Sequence, residues 1–475
     1  MLMTSIITDP VRQKLLLGAV ALGVMMDGID GSIVNVALPA MATFYHTDTG
    51  TIAWVIITYL LMMAGLLVVF GKLAERGLAK KIFLVGFAIF TVSSVACGIA
   101  PTLDILLAAR LVQGAGAAMI AAVAPLLFIR HLPQEMLGTS LGLLAAACSL
   151  GLAAGPVIGG IITGHFSWHW IFLINIPIGA FGILFAARVI PEDEPEGQTA
   201  PFDYPGAAAL FSAMVLCTVV LEEGVIRGAT DPLILSCGAL CLLCTAFFIH
   251  RELNIPAPLI NLRIFSSWPF LAVITAFLLM NIIFMGIFYL LPFYLTAIMH
   301  FDPAVAGLCL LIPPAFIAIL GVPFGKLSDS CGRRRALIVA ACILIVLYNA
   351  IFLFLVPDAG IVPLLAGLVL MGVTVGIYSG PASSRIVDGA PAGEEGTASS
   401  LMVTTIYFGG VLGTALYAAI FTLATTDAGK IVAFADLDPA TFLSGFHITM
   451  AAGLVLSVIT LVLSAMVPDC LQEKV

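Results

Sequence analysis

Residues 51–76 read TIAWVIITYLLMMAGLLVVFGKLAER, and the first twenty of them decide the solvent in which this chain folds. They hold no charged side chain and no period-2 alternation. At about 1.5 Å of rise per helical residue they cover the roughly 30 Å of a bilayer's hydrocarbon. Lys72, Glu75 and Arg76 arrive only where the run ends. Similar runs lie near 15–38, 82–100, 103–128, 138–163, 170–190, 205–221, 232–249, 268–297, 303–324, 336–356, 361–384, 397–423 and 444–466, making fourteen. The whole composition agrees: 61% of the 475 residues are hydrophobic and 10% are charged, with a mean hydropathy of +1.16. Backbone polar groups have no water to bond at that depth, so only helices or a closed barrel can cross. Unbroken apolar runs exclude the barrel, and the expected class is an all-α polytopic membrane protein.

The basic residues orient these spans. Of the 19 Lys and Arg, 16 fall in alternate loops: Arg12, Lys14, Lys72, Arg76, Lys80, Lys81, Arg130, Arg188, Arg251, Arg263, Lys326, Arg333, Arg334, Arg335, Arg385 and Lys474. Only Arg227 and Lys430 lie on the opposite side, and Arg110 sits inside a span. Positive residues are retained in the cytoplasm during insertion, so both termini are expected there, in a plasma or inner membrane. The first span follows Arg12 and Lys14 directly, without a cleavable-signal pattern. The net charge of -8 reads as solvated loop surface, much of it at 192–196, and Glu222 and Glu223 read the same way. The ten cysteines lie mostly within spans, where they act as small packing residues. No metal site is expected of them.

A short motif repeats. Gly71-Lys72-Leu73-Ala74-Glu75-Arg76 returns as Gly325-Lys326-Leu327-Ser328-Asp329, each time after an even-numbered span and eight spans apart. Eight is a six-span repeat plus a two-span insertion. The chain therefore divides into a six-helix bundle at 1–197, a two-helix insert at 198–252 and a second six-helix bundle at 253–475.

Charge within the spans marks the candidate chemistry. Asp27 and Asp30 stand i, i+3 on one helix and share a face. Intramembrane carboxylates are costly and face a cavity or a partner. Two of them so close cannot both carry charge cheaply, which suits one to carry a proton. A structural reading stays open beside it: one Asp pairs with Arg110, or caps a break near Gly28 and Gly31. Gly151, Gly155, Gly159 and Gly160 form a small-residue stripe that lets helices approach closely, with a kink at Pro156. The ninth span offers Asn281, Phe284, Met285, Phe288, Tyr289 and Phe293. Met and aromatic side chains adapt to apolar ligands and can face a cation, although such a stripe is also ordinary packing.

Several of these segments resemble one family. Asp30-Gly31-Ser32-Ile33-Val34-Asn35-Val36-Ala37-Leu38-Pro39, Arg110-Leu111-Val112-Gln113-Gly114-Ala115-Gly116, Gly151-Leu152-Ala153-Ala154-Gly155-Pro156 with Gly159-Gly160, and Trp168 through Gly179 are similar to motifs of the major facilitator superfamily, in its fourteen-span drug:proton antiporter branch. His169 stands where that family usually has Arg. The first loop motif departs from the pattern at Glu75, Leu78 and Ala79, whereas the second, through Gly332-Arg333-Arg334-Arg335, fits it. The resemblance implies two bundles around a central cavity, the Arg110 helix beside the first helix, an antiporter motif at Gly151, Gly155, Pro156, Gly159 and Gly160, and ion-pair gating by Glu75, Arg76, Arg130, Asp329, Arg333 and Arg334.

Enzyme signals are weak. Gly138-Thr139-Ser140-Leu141-Gly142 matches a nucleophile-elbow pattern but opens a transmembrane helix with no strand before it. No phosphate-cradling loop occurs, so the energy source is expected to be a proton gradient with no cofactor. No aromatic-interleaved basic patch suggests nucleic acid. The expectation is a monomeric, non-enzymatic exporter of hydrophobic or cationic compounds. In it Asp30, assisted by Asp27, exchanges a proton against substrate, Arg110 tunes its affinity, and Asn35, Asn281, Met285, Tyr289 and Phe293 bind cargo. Two other readings are a proton symporter importing organic anions, with Arg110 as ligand, and a membrane scaffold or sensor that transports nothing.

Overall fold

The computed structural model describes residues 6–193, 202–255, 258–331, 334–390, 394–426 and 430–467. The 197/198 boundary, Arg333 and the side chain of Asp329 lie outside the described residues. Within them, fourteen helices are long and apolar enough to cross a membrane, and no strand occurs.

The first half comprises α1 (Pro10–Phe44), α2 (Thr49–Ala74), α3 (Ala79–Gly98), α4 (Leu103–His131), α5 (Gln134–His165), and a sixth span split at Ile174 into α6 (Trp170–Leu173) and α7 (Asn175–Val189). A hairpin follows, α8 (Tyr204–Arg227) and α9 (Pro232–Asn254). The second half comprises α10 (Trp268–Ala297), α11 (Pro303–Cys331), α12 (Arg334–Leu353), α13 (Ile361–Asp388), α14 (Glu395–Thr425) and α15 (Pro439–Met466). Several helices outrun the apolar segments that announce them. At 35 residues, α1 is about 52 Å long, well past the hydrocarbon thickness. The overhangs carry the caps: Asp9, Asp231 and Asp438 each accept a backbone N–H at a helix start and precede a proline at the first helical position, where its missing N–H costs nothing.

Spans one to six pack among themselves, as do spans nine to fourteen. The hairpin is peripheral. α8 rests on α2 of the first half and α14 of the second, while α9 leans mainly on α8, with only 11% of its apolar window covered by protein. A helix apolar on all sides and so little covered is satisfied only by lipid.

The halves meet along α5 with α11 and α2 with α14, and their closest approaches lie toward the ends remote from the basic loops. There, side chains grown from Gly160 and Gly307 would strike the backbones of Pro303 and Pro156, and one grown from Gly50 would strike Thr422. The Phe434 N–H donates to Thr47 O at 3.0 Å, and the Tyr289 hydroxyl donates to Thr49 O. Near the basic face α5 stands free, with open space beside Gly138 and Gly142. The molecule is shut at one face and open at the other.

Gly28 and Gly151 bring the backbones of α1 and α5 together. A Gly151→Val side chain would meet Met25 O and Ile29 N. Overpacking of this kind costs about 1–3 kcal/mol, so the variant should melt several degrees lower in detergent. Gly142→Val, whose side chain enters open space, should melt like the parent.

Candidate functional site

Sequence spacing puts Asp27 and Asp30 one helical turn apart, and their neighbours give them separate roles. Asp30 is 0% exposed and Arg110, opposite it on α4, is 1% exposed. Arg110 Nη1 donates to Asp30 Oδ2 at 2.6 Å, and Asp30 Oδ1 accepts from Gln113 Nε2 and from Asn175 Nδ2, each at 3.0 Å. Arg110 also donates through Nε to Val55 O at 3.0 Å and through Nη1 to Gln113 Oε1 at 2.7 Å, and Ser94 Oγ accepts from Gln113 at 2.9 Å. The guanidinium lies 4.2 Å from the Tyr59 ring centroid and 5.7 Å from that of Phe172. Gln113 reaches this network because it stands i, i+3 from Arg110, and Asn175 because the sixth span breaks at Ile174 just before it. A buried ion pair repays its desolvation only when the remaining donors and acceptors are also satisfied, and this one is so furnished.

Asp27 is different. Its Oδ1 accepts from the Tyr59 hydroxyl, and its carboxyl lines a cavity of about 310 Å³ with Val24, Leu67, Pro125, Leu144, Cys148 and Tyr407. Among the described residues that line this cavity, Asp27 alone carries charge. A neighbouring cavity of about 490 Å³ shares Leu67, Ala122, Pro125 and Ser400 with it and reaches Lys72 and Glu75 at the basic face. Asp27 therefore borders a cavity that adjoins one reaching the basic face, and Asp30 lines neither. The sequence expectation has Asp30 exchanging protons with Asp27 assisting; the structure sets the two acids in different surroundings. Burial and three first-half partners, Arg110, Gln113 and Asn175, occupy Asp30, whereas Asp27 borders the cavity.

The expected cargo residues divide as well. Asn35 Nδ2 donates to Gly31 O at 3.3 Å and Asn281 Nδ2 to Phe277 O at 2.8 Å, both along their own helices. Met285 is half-buried near Gly410. Tyr289 and Phe293 are both fully buried in the shut face, Tyr289 bonded to Thr49 and Phe293 packed on Phe434, with centroids 5.0 Å apart. They form the seal and line neither cavity.

The described residues of the expected gate lie in two separate groups. Lys72 lies 3.4 Å from Glu75, and Arg130 Nη2 donates to Glu75 O at 2.8 Å, all in the first half, with Arg76 half-buried in the same turn. Arg334 pairs with Asp388 at the end of α13, wholly in the second half. Both of these ion pairs stay within their own half. Sequence reading missed Asp388, which no repeat or motif marks. The glycine stripe serves both interfaces: Gly151, Gly155 and Gly159 receive α1, while Gly160 and Pro156 receive α11. His169 stacks on Trp168 with centroids 3.7 Å apart, and burial pushes its imidazole below the usual histidine range. Glu222, expected on a solvated surface, is only 2% exposed.

Known proteins accord with this architecture. The Major Facilitator Superfamily description matches residues 20–414. The chain is 29% identical over 416 residues to the riboflavin transporter RibZ of Clostridioides difficile, covering 87% of this chain and 90% of that one. It is 30% identical over 403 residues to the tetracenomycin C resistance and export protein of Streptomyces glaucescens, covering 84% and 74%. The crystal structure of a bacterial homologue of the human lysosomal transporter Spinster, inward-facing and unoccupied, superposes with a TM-score of 0.70 at 16% identity over 97% of each chain.

The two acids should respond differently to removal of charge. Asp30→Asn leaves Arg110 buried without a counter-charge, a loss of about 3–5 kcal/mol. It should lower the melting temperature of the purified protein sharply. Asp27→Asn, at a cavity wall, should leave melting nearly unchanged. Equal melting of the two variants would contradict the division of roles.

Proposed function

The chain belongs to the major facilitator superfamily, and from that membership we propose that it is a proton-coupled antiporter exporting hydrophobic or cationic compounds by alternating access. The observation that carries this reading is the lone carboxyl of Asp27 in an otherwise uncharged, largely apolar cavity. Such a wall gives dispersion and hydrophobic contact to varied organic compounds. The ionised carboxyl attracts a cation, assisted by the ring of Tyr407. A proton and a cationic substrate compete for the same oxygen atoms, and competition at one site is enough to make exchange obligatory once that site faces the two compartments alternately.

The buried ion pair has a positioning part in this scheme. Tyr59 lies against Arg110 with its ring and donates to Asp27 with its hydroxyl, so a change of charge at Asp27 is felt by the group that holds Asp30. With the basic face cytoplasmic, the open cavity takes substrate from inside, and both termini lie there. Names among the relatives support export without naming this chain's substrate. The alternative, import of organic anions on Arg110, is disfavoured by the 1% exposure of that side chain and by its engaged donors.

In vesicles loaded with a lipophilic cation, an imposed proton gradient should drive uphill substrate movement against the proton flow. Asp27→Asn should abolish the uphill component while retaining substrate binding and downhill movement, read by a pH dye together with substrate fluorescence. Full uphill transport by Asp27→Asn would overturn the assignment. Substrate moving in the same direction as protons would overturn antiport.

A further inference from the structure

Glu222 is the buried acid that the cavity does not use. It lies near the end of α8, on the shut side of the molecule, and α8 touches both α2 and α14. Its side chain is 2% exposed, and Oε1 has no hydrogen-bond partner among the described residues. What surrounds it is acidic or neutral. From α2 comes Asp48, whose carboxylate caps that helix by accepting from Thr51 N at 2.9 Å and Thr51 Oγ1 at 2.6 Å. From α10 comes Tyr289, fully buried, whose hydroxyl donates to Thr49 O, the residue after Asp48. On α14, which α8 also touches, Thr422 packs beside Gly50 with its Oγ1 likewise buried and unpartnered. On its own helix the neighbour is Glu223, which Arg227 already pairs at 3.1 Å. At the start of α9, Asp231 is spent capping Leu233. No described cation answers a charge at Glu222.

A carboxylate without a partner in such a place is costly, more so with Asp48 and Glu223 nearby. The neutral acid is not. Its neighbours are also the groups that close this face: Thr49 and Gly50 follow Asp48 directly, Tyr289 bonds Thr49, and Thr422 packs on Gly50. Opening the face must part these contacts and admit water to the hairpin's edge.

We propose that Glu222 is a second proton-binding site, carried by the inserted hairpin, and that the outer face closes only when its carboxyl holds a proton. Closure takes one proton from the outer compartment, and opening followed by ionisation returns it there or holds the face open. An acidic exterior thus drives the return to the inward-open state after cargo has left. The inference goes beyond Asp27 as the coupling carboxyl: it requires that the outer face open, and it does not depend on what is carried.

The test uses the full chain in lipid with spin-label amino acids at the exposed positions His46 and Asp358, one in each half, in an Asp27→Asn background so that the cavity carboxyl is silent. Pulsed spin-resonance distances give the ratio of open to closed outer face. That ratio should rise with pH by up to about tenfold per unit, the limit for one linked proton. Adding Glu222→Gln should leave a low ratio with no slope. Adding Tyr289→Phe as well, which removes a bond of the seal, should raise the ratio at every pH and still leave it flat, which shows that the glutamine chain is folded and able to open. A pH slope surviving Glu222→Gln in either chain, a slope absent before that substitution, or a slope removed instead by Asp48→Asn alone would overturn the proposal. None of these readings involves substrate, so they remain separable from a failure of the export assignment.

Discussion

The ion pair between Asp30 and Arg110 is the interaction on which the first half is organised. Neither group could be buried alone, because an uncompensated charge in such surroundings costs several kcal/mol. Meeting that condition draws in α1 through Asp30, α2 through Val55 O and Tyr59, α3 through Ser94, α4 through Arg110 and Gln113, and the sixth span through Asn175. Five of six spans are thereby tied to one polar centre within an apolar bundle. Lipid supplies no hydrophobic force between helices, so polar bonds and close packing set the arrangement. With Asp30 committed to structure, its neighbour one turn away is left to face the cavity.

Close backbone approach is the second constraint. The stripe on α5 seats α1 through three glycines and α11 through the fourth together with Pro156. One helix thus carries both the permanent contact within the first half and the breakable contact between halves. The first is extensive and continuous, while the second is confined to one end, so a rocking motion about the cavity can part the second and spare the first. At the basic face the ion pairs of Lys72 with Glu75 and of Lys80 with Glu192 are internal to the first half, that of Arg251 with Asp203 to the hairpin, and that of Arg334 with Asp388 to the second half, so these four impose no restraint on that motion.

Much of this was legible in the chain. Fourteen spans follow from hydropathy alone, since a long uncharged run has one stable destination. The positions of Asp27, Asp30 and Arg110 stand out because charge in such runs is rare, and the pairing of one Asp with Arg110 was among the open readings. Which Asp pairs was not legible: residues three apart differ by about 60° around a helix, and the choice depends on Gln113, Asn175 and Tyr59 converging from other spans. Tyr289 and Phe293 have the composition of a ligand wall, yet ring chemistry suits a seal equally well, and only their depth along α10 separates the two uses. Glu222 beside Glu223 looks like loop surface because the end of a span is also the start of water; its burial comes from α2 and α14, remote in sequence.

The hairpin's position gives the extra pair of helices a contact with both halves of the molecule. A helix embedded in one half travels with it and cannot sense how far away the other has moved. α8 rests on both α2 and α14, so any separation of the halves at the shut face changes the surroundings of whatever α8 carries there. An apolar side chain at that point would record the change only as exposed area. A carboxyl records it as a change of charge state, since burial and solvation favour opposite forms of the acid. Of the two hairpin helices, the one touching both halves holds the buried acid beside the seal, while the other presents nearly uninterrupted apolar surface to lipid.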